Sequence, residues 1–288
     1  MTTDSTAVCI PVRGDRSGLI RTLRSIDNLK DSCIRQIVVS VDGPDDELTS
    51  LARDAGADTV VLPRWRGPSA ARNAAIDALS DEIAIVMFTD AGCTIDPGWG
   101  AEHRRTLERV AMSGGGVVVE LSSRPSPAEV VDAHRNLRQE DYIRHTGFAA
   151  TCNLAVRRSV VSAVRFDENQ PIYGEDLDFC HRAADAGFGL EYTREAVVRH
   201  AARRRSRSVV SKARRAGLGM ASLPSRSRPA VPPRPRLSRE VVRGAASAGI
   251  RRGWWWQTRV ILLDYQRAWA YRRAFIRTLR RHGDPGRT

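Results

Sequence analysis

Ile83-Ala84-Ile85-Val86-Met87-Phe88, closed by Thr89-Asp90, is a run of six apolar residues that stops just short of an acid. A half-exposed strand would alternate apolar and polar positions. This run does not, which marks a strand covered on both faces, as in a parallel sheet. Moving outward, Ala7–Val12, Gln36–Val41 and Thr59–Leu62 are short, largely apolar stretches. Between them, Ser17–Ile26 and the alanine-rich Ser69–Leu79 read as helices. Strands alternating with helices make an α/β sandwich around a mostly parallel central sheet. Further on, Gly114-Gly115-Gly116 leads into a strand over Val117–Leu121, and Ala149–Val156 and Glu191–His200 are strand candidates. In such sheets functional groups gather just past the carboxyl ends of strands. Asp42, after Val41, and Asp90, after Phe88-Thr89, both occupy such positions.

Gly174-Glu175-Asp176-Leu177-Asp178 sets three acids in four residues where a helix-like run begins. The helix dipole favours acids in a first turn, which accounts for one or two of them. A Glu-Asp pair delivered by the approach Ile172-Tyr173-Gly174 also suits a carboxylate that takes a proton from an alcohol. For Asp178 the helix-terminal charge is the preferred reading.

The 288 residues, 42% of them hydrophobic, suffice for one large domain with an appendage. The cysteines, Cys9, Cys33, Cys93, Cys152 and Cys180, form no CxxC pair. That argues against a zinc ribbon and a secreted disulfide framework. The first residues lack the apolar core of a leader, and no run approaches the ~18 apolar residues of a membrane span. A soluble, cytoplasmic protein is expected. Charge is unevenly spread. Residues 201–288 hold 23 arginines or lysines and three acids, whereas residues 1–200 hold 23 and 30. A basic tail on a mildly acidic body suggests an anionic partner.

In that tail, Arg203–Met220 can form a basic helix. Pro224–Pro235, with five prolines, reads as a linker or disordered stretch. From Gly253 a helix resumes after Trp254-Trp255-Trp256. Leu262, Tyr265, Trp269, Ile276 and Leu279 share a face at helical spacing, with arginines around much of the remainder. This face suits packing onto protein; an anionic membrane is the alternative.

Four features then line up in order. They are Asp42-Gly43-Pro44-Asp45; Gly67-Pro68-Ser69-Ala70-Ala71-Arg72-Asn73; Asp90-Ala91-Gly92 with Asp96-Pro97-Gly98-Trp99; and Gly174-Glu175-Asp176, with His200 about two dozen residues on. Together they resemble the family 2 glycosyltransferases over roughly residues 7–220. The resemblance implies a GT-A (Rossmann-like) sandwich that binds a nucleotide sugar, with a basic helical C-terminal extension. It implies a GT-A domain over 1–222, including a basic lid helix near 203–220, while composition and spacing mark a Pro/Arg-rich linker over 223–252 and a C-terminal helix over 253–282.

The same resemblance assigns roles. Asp176 is the general base of an inverting transfer from a nucleoside-diphosphate sugar to an acceptor hydroxyl, and Glu175 assists it. Pro11, Asp42, Arg72, Asn73, Asp90 and Ala91 bind the nucleotide sugar. Asp90 and His200 hold a divalent cation, Mn²⁺ or Mg²⁺. The family's Asp-x-Asp motif is Asp90-Ala91-Gly92 here, so the usual second acid is a glycine. Asp96 reads as a turn residue. For Arg72 an exposed helix arginine is the plainer alternative, and for Asp42 a turn acid. The donor expected first is a UDP-sugar; the acceptor is open. Peripheral contact of the tail with the inner membrane face is an added expectation. A nucleotidyltransferase would show a basic glycine-rich loop after the first strand, of which Val12–Gly18 is a faint version. A nucleic-acid binder is disfavoured by the acidic body.

Overall fold

The computed structural model describes residues 5–170 and 173–281. Ile172, in the approach to the Glu-Asp pair, and His282, at the end of the expected tail helix, lie outside the described residues. The chain forms two compact units. One holds residues 1–118, 139–169 and 175–200, and the other holds 119–138, 170–174 and 201–288.

The strands are β1 (Thr6–Val12), β2 (Ile34–Val41), β3 (Asp58–Val61), β4 (Ile85–Phe88), β5 (Cys93–Ile95), β6 (Met112–Glu120), β7 (Leu154–Arg157) and β8 (Leu190–Ala201). They form one sheet in the order β3-β2-β1-β4-β7-β6-β8-β5. The half built by the first ninety residues is parallel: β1 pairs with β2 and β4, and β2 with β3. Beyond β4 the sheet turns antiparallel, through β4–β7, β6–β7 and β5–β8. The last four residues of the apolar run Ile83–Phe88 form β4, buried at every position.

The helices are α1 (Arg16–Leu29), α2 (Asp46–Asp54), α3 (Pro68–Asp77), α4 (Trp99–Leu107), α5 (Pro127–Arg135), α6 (Gln139–Thr146), α7 (Arg158–Ala163), α8 (Glu175–Asp185), α9 (Ser206–Ser222), α10 (Glu240–Ser247) and α11 (Trp254–Arg281). Their starts follow local chemistry. The Asp15 and Asp45 side chains accept from the Gly18 and Leu48 amides and cap α1 and α2. Gly67, at φ 93°, turns the chain into α3, and Pro68 supplies its first residue. The triple glycine lies inside β6, which begins at Met112, earlier than the sequence suggests. A Cβ on Gly115 would stand 2.3 Å from both the Ala196 carbonyl and the Asn153 amide. Glycine lets the neighbouring strand and Asn153 close onto this one.

The second unit is helical. Val130 and Val131 of α5, Val209 of α9, Val241 of α10, and Val260 and Leu263 of α11 share one apolar core. Gly217 lets α9 approach α11 closely, since a Cβ there would lie 2.2 Å from the Tyr271 carbonyl. Residues 223–239 form no regular helix or strand, while α10 occupies part of the stretch expected as a linker. The tail helix also faces differently from the sequence reading. Its buried stripe is Val260, Leu263, Ala274, Phe275, Thr278 and Leu279, and Leu262 and Trp269 are exposed. Both stripes have helical spacing, and packing against α9 and α5 selects one of them.

Candidate active site

Arg72 is the centre of the constellation. It projects from α3, and its side chain is only 5% exposed, so the exposed-helix alternative is excluded. Its guanidinium stands 3.2 Å from Glu175, 3.5 Å from Asp90 and 3.6 Å from Asp176. Its face lies over the Phe166 ring at 5.5 Å. Burial alone would favour loss of its proton, but the attraction of Asp176, Asp90 and Glu175 wins and holds its pKa above the ordinary arginine value. One cation thus ties the acid at the end of β4 to both acids at the start of α8. Three carboxylates around one buried guanidinium leave the cluster with excess negative charge.

Asp176 carries that strain. Burial is the first cause that raises its pKa, and repulsion from Glu175 adds to it. Arg72 and the Thr151 hydroxyl pull the other way, yet the carboxyl is pushed up to about 7. The Thr151 hydroxyl donates to one carboxylate oxygen at 2.8 Å and the Thr151 amide to the other at 3.3 Å. Thr151 opens the short 3-10 turn Thr151–Asn153. Its role was not visible in the sequence, where it fell inside an expected strand. The Asp176 side chain keeps 22% exposure, enough to meet an incoming hydroxyl. Such a pKa suits a base at neutral pH. Asp178 is buried and paired with Arg182 at 2.7 Å, in line with its reading as a helix-start charge.

Asp90 sits past β4 with its side chain 40% exposed. Its carbonyl accepts from the Cys93 amide at 3.1 Å, closing a turn that contains half-buried Ala91. Thr22 of α1 pins this turn: its hydroxyl donates to the Cys93 carbonyl and accepts from the Gly92 amide. Gly92 has φ 101°, where any L side chain is strained. An aspartate in place of Gly92 would therefore be strained in this turn. Cys93 pairs across to His200, so β5 and β8 bring Asp90 and His200 towards the same edge of the sheet. A carboxylate and an imidazole are ligand types that suit a divalent cation, which would need further ligands from outside this pair. Among the described residues no cluster of three or more His, Cys, Asp or Glu could hold a metal. Asp96 is bound by Arg199 through two contacts of 2.7 and 2.8 Å.

Asp42 is buried past β2, and its oxygens accept from the Arg66 and Gly67 amides at 2.7 and 3.0 Å. It holds the turn that launches Arg72's helix. It also lines a cavity of about 310 Å³ with Arg13, Pro44 and Trp65. Arg13 lies 4.9 Å above the Trp65 ring, a flat surface that the sequence did not single out. Pro11 is half-buried in β1, paired with Ser40. Asn73 is fully engaged within the protein. Its amide nitrogen donates to Phe166 and Glu168, and its oxygen accepts from the Phe166 amide. The arrangement makes it an anchor for the 166–168 loop beneath Arg72.

Beneath the site runs a buried polar network. Asn153 accepts from the Trp99 indole at 2.7 Å, contacts His103 at 2.9 Å, and donates to the Gly116 and Ala196 carbonyls at 2.8 Å. His103 continues to Ser113 and Thr193. Burial, helped by nearby Arg104, lowers the His103 pKa to about 4 despite the Asn153 contact. Trp99 is wholly buried, so it packs rather than borders a ligand.

A family model described as "Glycosyltransferase like family 2" matches residues 4–219. Glycosyltransferase AglE of Haloferax volcanii is 28% identical over 205 residues, 68% of this chain and 67% of that one. The pre-mycofactocin glycosyltransferase of Mycobacterium tuberculosis is 29% identical over 233 residues, 75% of this chain but 46% of that one. The chain therefore spans under half the length of the mycobacterial relative. Among solved structures, the mannosyltransferase PcManGT of Pyrobaculum calidifontis, in complex with GDP-Man and Mn²⁺, gives a TM-score of 0.58 at 14% identity, covering 99% of this chain and 76% of that one. Glucosyl-3-phosphoglycerate synthase of M. tuberculosis, with Mn²⁺, UDP and its glucosylated product, gives 0.56 at 18% identity, covering 78% and 80%. By its match over residues 4–219 and by its fold, this chain belongs to glycosyltransferase family 2 and has the GT-A architecture.

Proposed function

We propose that this chain transfers a sugar from a nucleoside-diphosphate donor to an acceptor hydroxyl with inversion. One observation carries the reading: a single buried guanidinium, Arg72, joins the donor-side acid Asp90 to the acceptor-side pair Glu175 and Asp176. Asp176 removes the acceptor's proton as the acceptor oxygen bonds to the anomeric carbon. The bond from that carbon to the diphosphate breaks on the opposite face, and the nucleoside diphosphate leaves. Thr151 fixes the carboxylate during this step, and Glu175 keeps the Arg72 guanidinium aimed. Asp42 borders the nucleotide half with Trp65 and Arg13 beside it, and Pro11 of β1 contributes backbone to it. Asp90 and His200 would hold a divalent cation, Mn²⁺ or Mg²⁺, which when bound offsets the charge of the leaving diphosphate.

The donors held by the structural neighbours, GDP-Man and UDP-linked glucose, support a nucleotide sugar of either class; a UDP-sugar is our first expectation. We place the protein in the cytoplasm, peripheral to the membrane. The test is turnover and donor binding with UDP-, GDP- and dTDP-sugars, with and without Mn²⁺. One nucleotide class bound in a cation-dependent way supports the reading. No binding to any of them refutes it.

A further inference from the structure

The solvent side of α11 is not an ordinary polar face. Trp255, Arg259, Leu262, Gln266, Trp269, Arg273, Arg277 and Arg280 recur every three or four residues, and all are exposed. Trp255 is 67% exposed, Leu262 47% and Trp269 37%. Trp254, stacked on Trp255 at 4.0 Å, is 63% exposed. The stripe contains no acid. The one acid on this helix, Asp264, is buried and occupied by Arg135 and Arg267. A helix that already buries Val260, Leu263 and Phe275 on its inner face has no packing reason to present Trp and Leu outward. Trp255, Leu262 and Trp269, each about two turns from the next and interleaved with arginines, match the chemistry of a bilayer surface. The rings enter the headgroup boundary, and the guanidiniums stay at the phosphates. The stripe runs about 37 Å at the helical rise, and among the described residues no helix is long and apolar enough to cross a membrane.

We infer that the outer face of α11 is a docking surface for an anionic lipid bilayer, on which the helix lies flat. A second copy of the chain is disfavoured as occupant, because it would set arginine stripe against arginine stripe with no acid to meet either. This deepens the peripheral contact proposed above by naming its surface. Vesicle binding is read without any sugar transfer, so failure of one reading leaves the other intact.

The test is co-sedimentation of the full chain with vesicles of phosphatidylglycerol and phosphatidylcholine, against phosphatidylcholine alone. The wild type is expected to bind the anionic vesicles at least tenfold more strongly, with loss at 0.5 M salt and quenching of tryptophan emission by brominated lipid. Trp255→Ser/Leu262→Ser/Trp269→Ser is expected to lose at least tenfold in partitioning and to keep its melting temperature. Arg259→Gln/Arg273→Gln/Arg277→Gln is expected to lose the preference for anionic lipid. Equal binding of the tryptophan variant and the wild type, or no vesicle binding at all, would overturn the inference. So would a wild-type dimer that the same serines disperse, or salt-sensitive binding to duplex DNA with vesicles ignored.

Discussion

The Arg72 guanidinium lies 3.2 Å from the Glu175 carboxylate, and both side chains are under 10% exposed. This pair spans 103 positions of sequence, from the middle of α3 to the first residue of α8. Removing one partner would leave the other charged and buried, at a cost of about 3–5 kcal/mol. Arg72→Ala is therefore expected to lower the urea midpoint and abolish turnover. Arg72→Lys should recover part of the stability and little of the activity, because a point charge cannot reach three carboxylates as a planar fork does. Full activity in the lysine variant would contradict the assignment.

Asp176 predicts two opposite pH effects. As the proposed base it must be ionised, so kcat/KM should rise with pH through about 7. Its folded pKa lies above the ordinary 3.8, so between these values the native state keeps a proton that the unfolded chain has lost. The associated stability is complete below pH 3.8 and disappears as pH climbs through 7. Asp176→Asn should cut kcat by about 10²–10⁴-fold. The same variant should raise Tm at pH 8 by about 2–6 °C, and change it little at pH 5. Thermal scans at the two pH values, beside a pH–rate profile, check both.

Gly92→Asp would restore the family's second acid in sequence but not in function. A non-glycine residue at φ 101° costs about 1–2 kcal/mol. It would also distort the Asp90–Cys93 turn that Thr22 holds. The variant should lose stability and gain no cation affinity by titration.

Asn153 and His103 should matter for folding rather than chemistry. Asn153→Ala strands the Trp99 indole and two strand carbonyls and should cost about 3 kcal/mol or more. His103 has a depressed folded pKa, so the unfolded chain binds its proton first. Stability should fall as pH drops from 6.5 towards 4, and His103→Gln should flatten that slope in urea titrations.

The parallel half of the sheet was legible because β1 and β4 are apolar at nearly every position, and β2 is apolar from Ile37 to Val41 except at Ser40, a pattern that suits two-sided burial. The acids at their ends followed from the same logic, and the Glu-Asp pair from its helix start. Thr22, Thr151 and Trp65 were not legible, since each acts through a contact made only when distant segments meet. The hydrogen bonds by which Asp42 and Asn73 hold the protein's own loops were not legible either, since their partners lie at Arg66 and Gly67 and at Phe166 and Glu168. On α11 two apolar stripes compete at the same spacing, and the sequence alone does not say which one faces inward.

We propose that one arginine, Arg72, joins a donor-side acid, Asp90, to an acceptor-side base, Asp176. Calorimetric titration of the wild type, Asp90→Ala and Asp176→Asn with nucleotide sugar and Mn²⁺, paired with turnover, tests it most directly. Donor binding should be lost in Asp90→Ala and kept in Asp176→Asn, with turnover lost in both. Wild-type turnover in Asp176→Asn, or unaltered donor binding in Asp90→Ala, would contradict it.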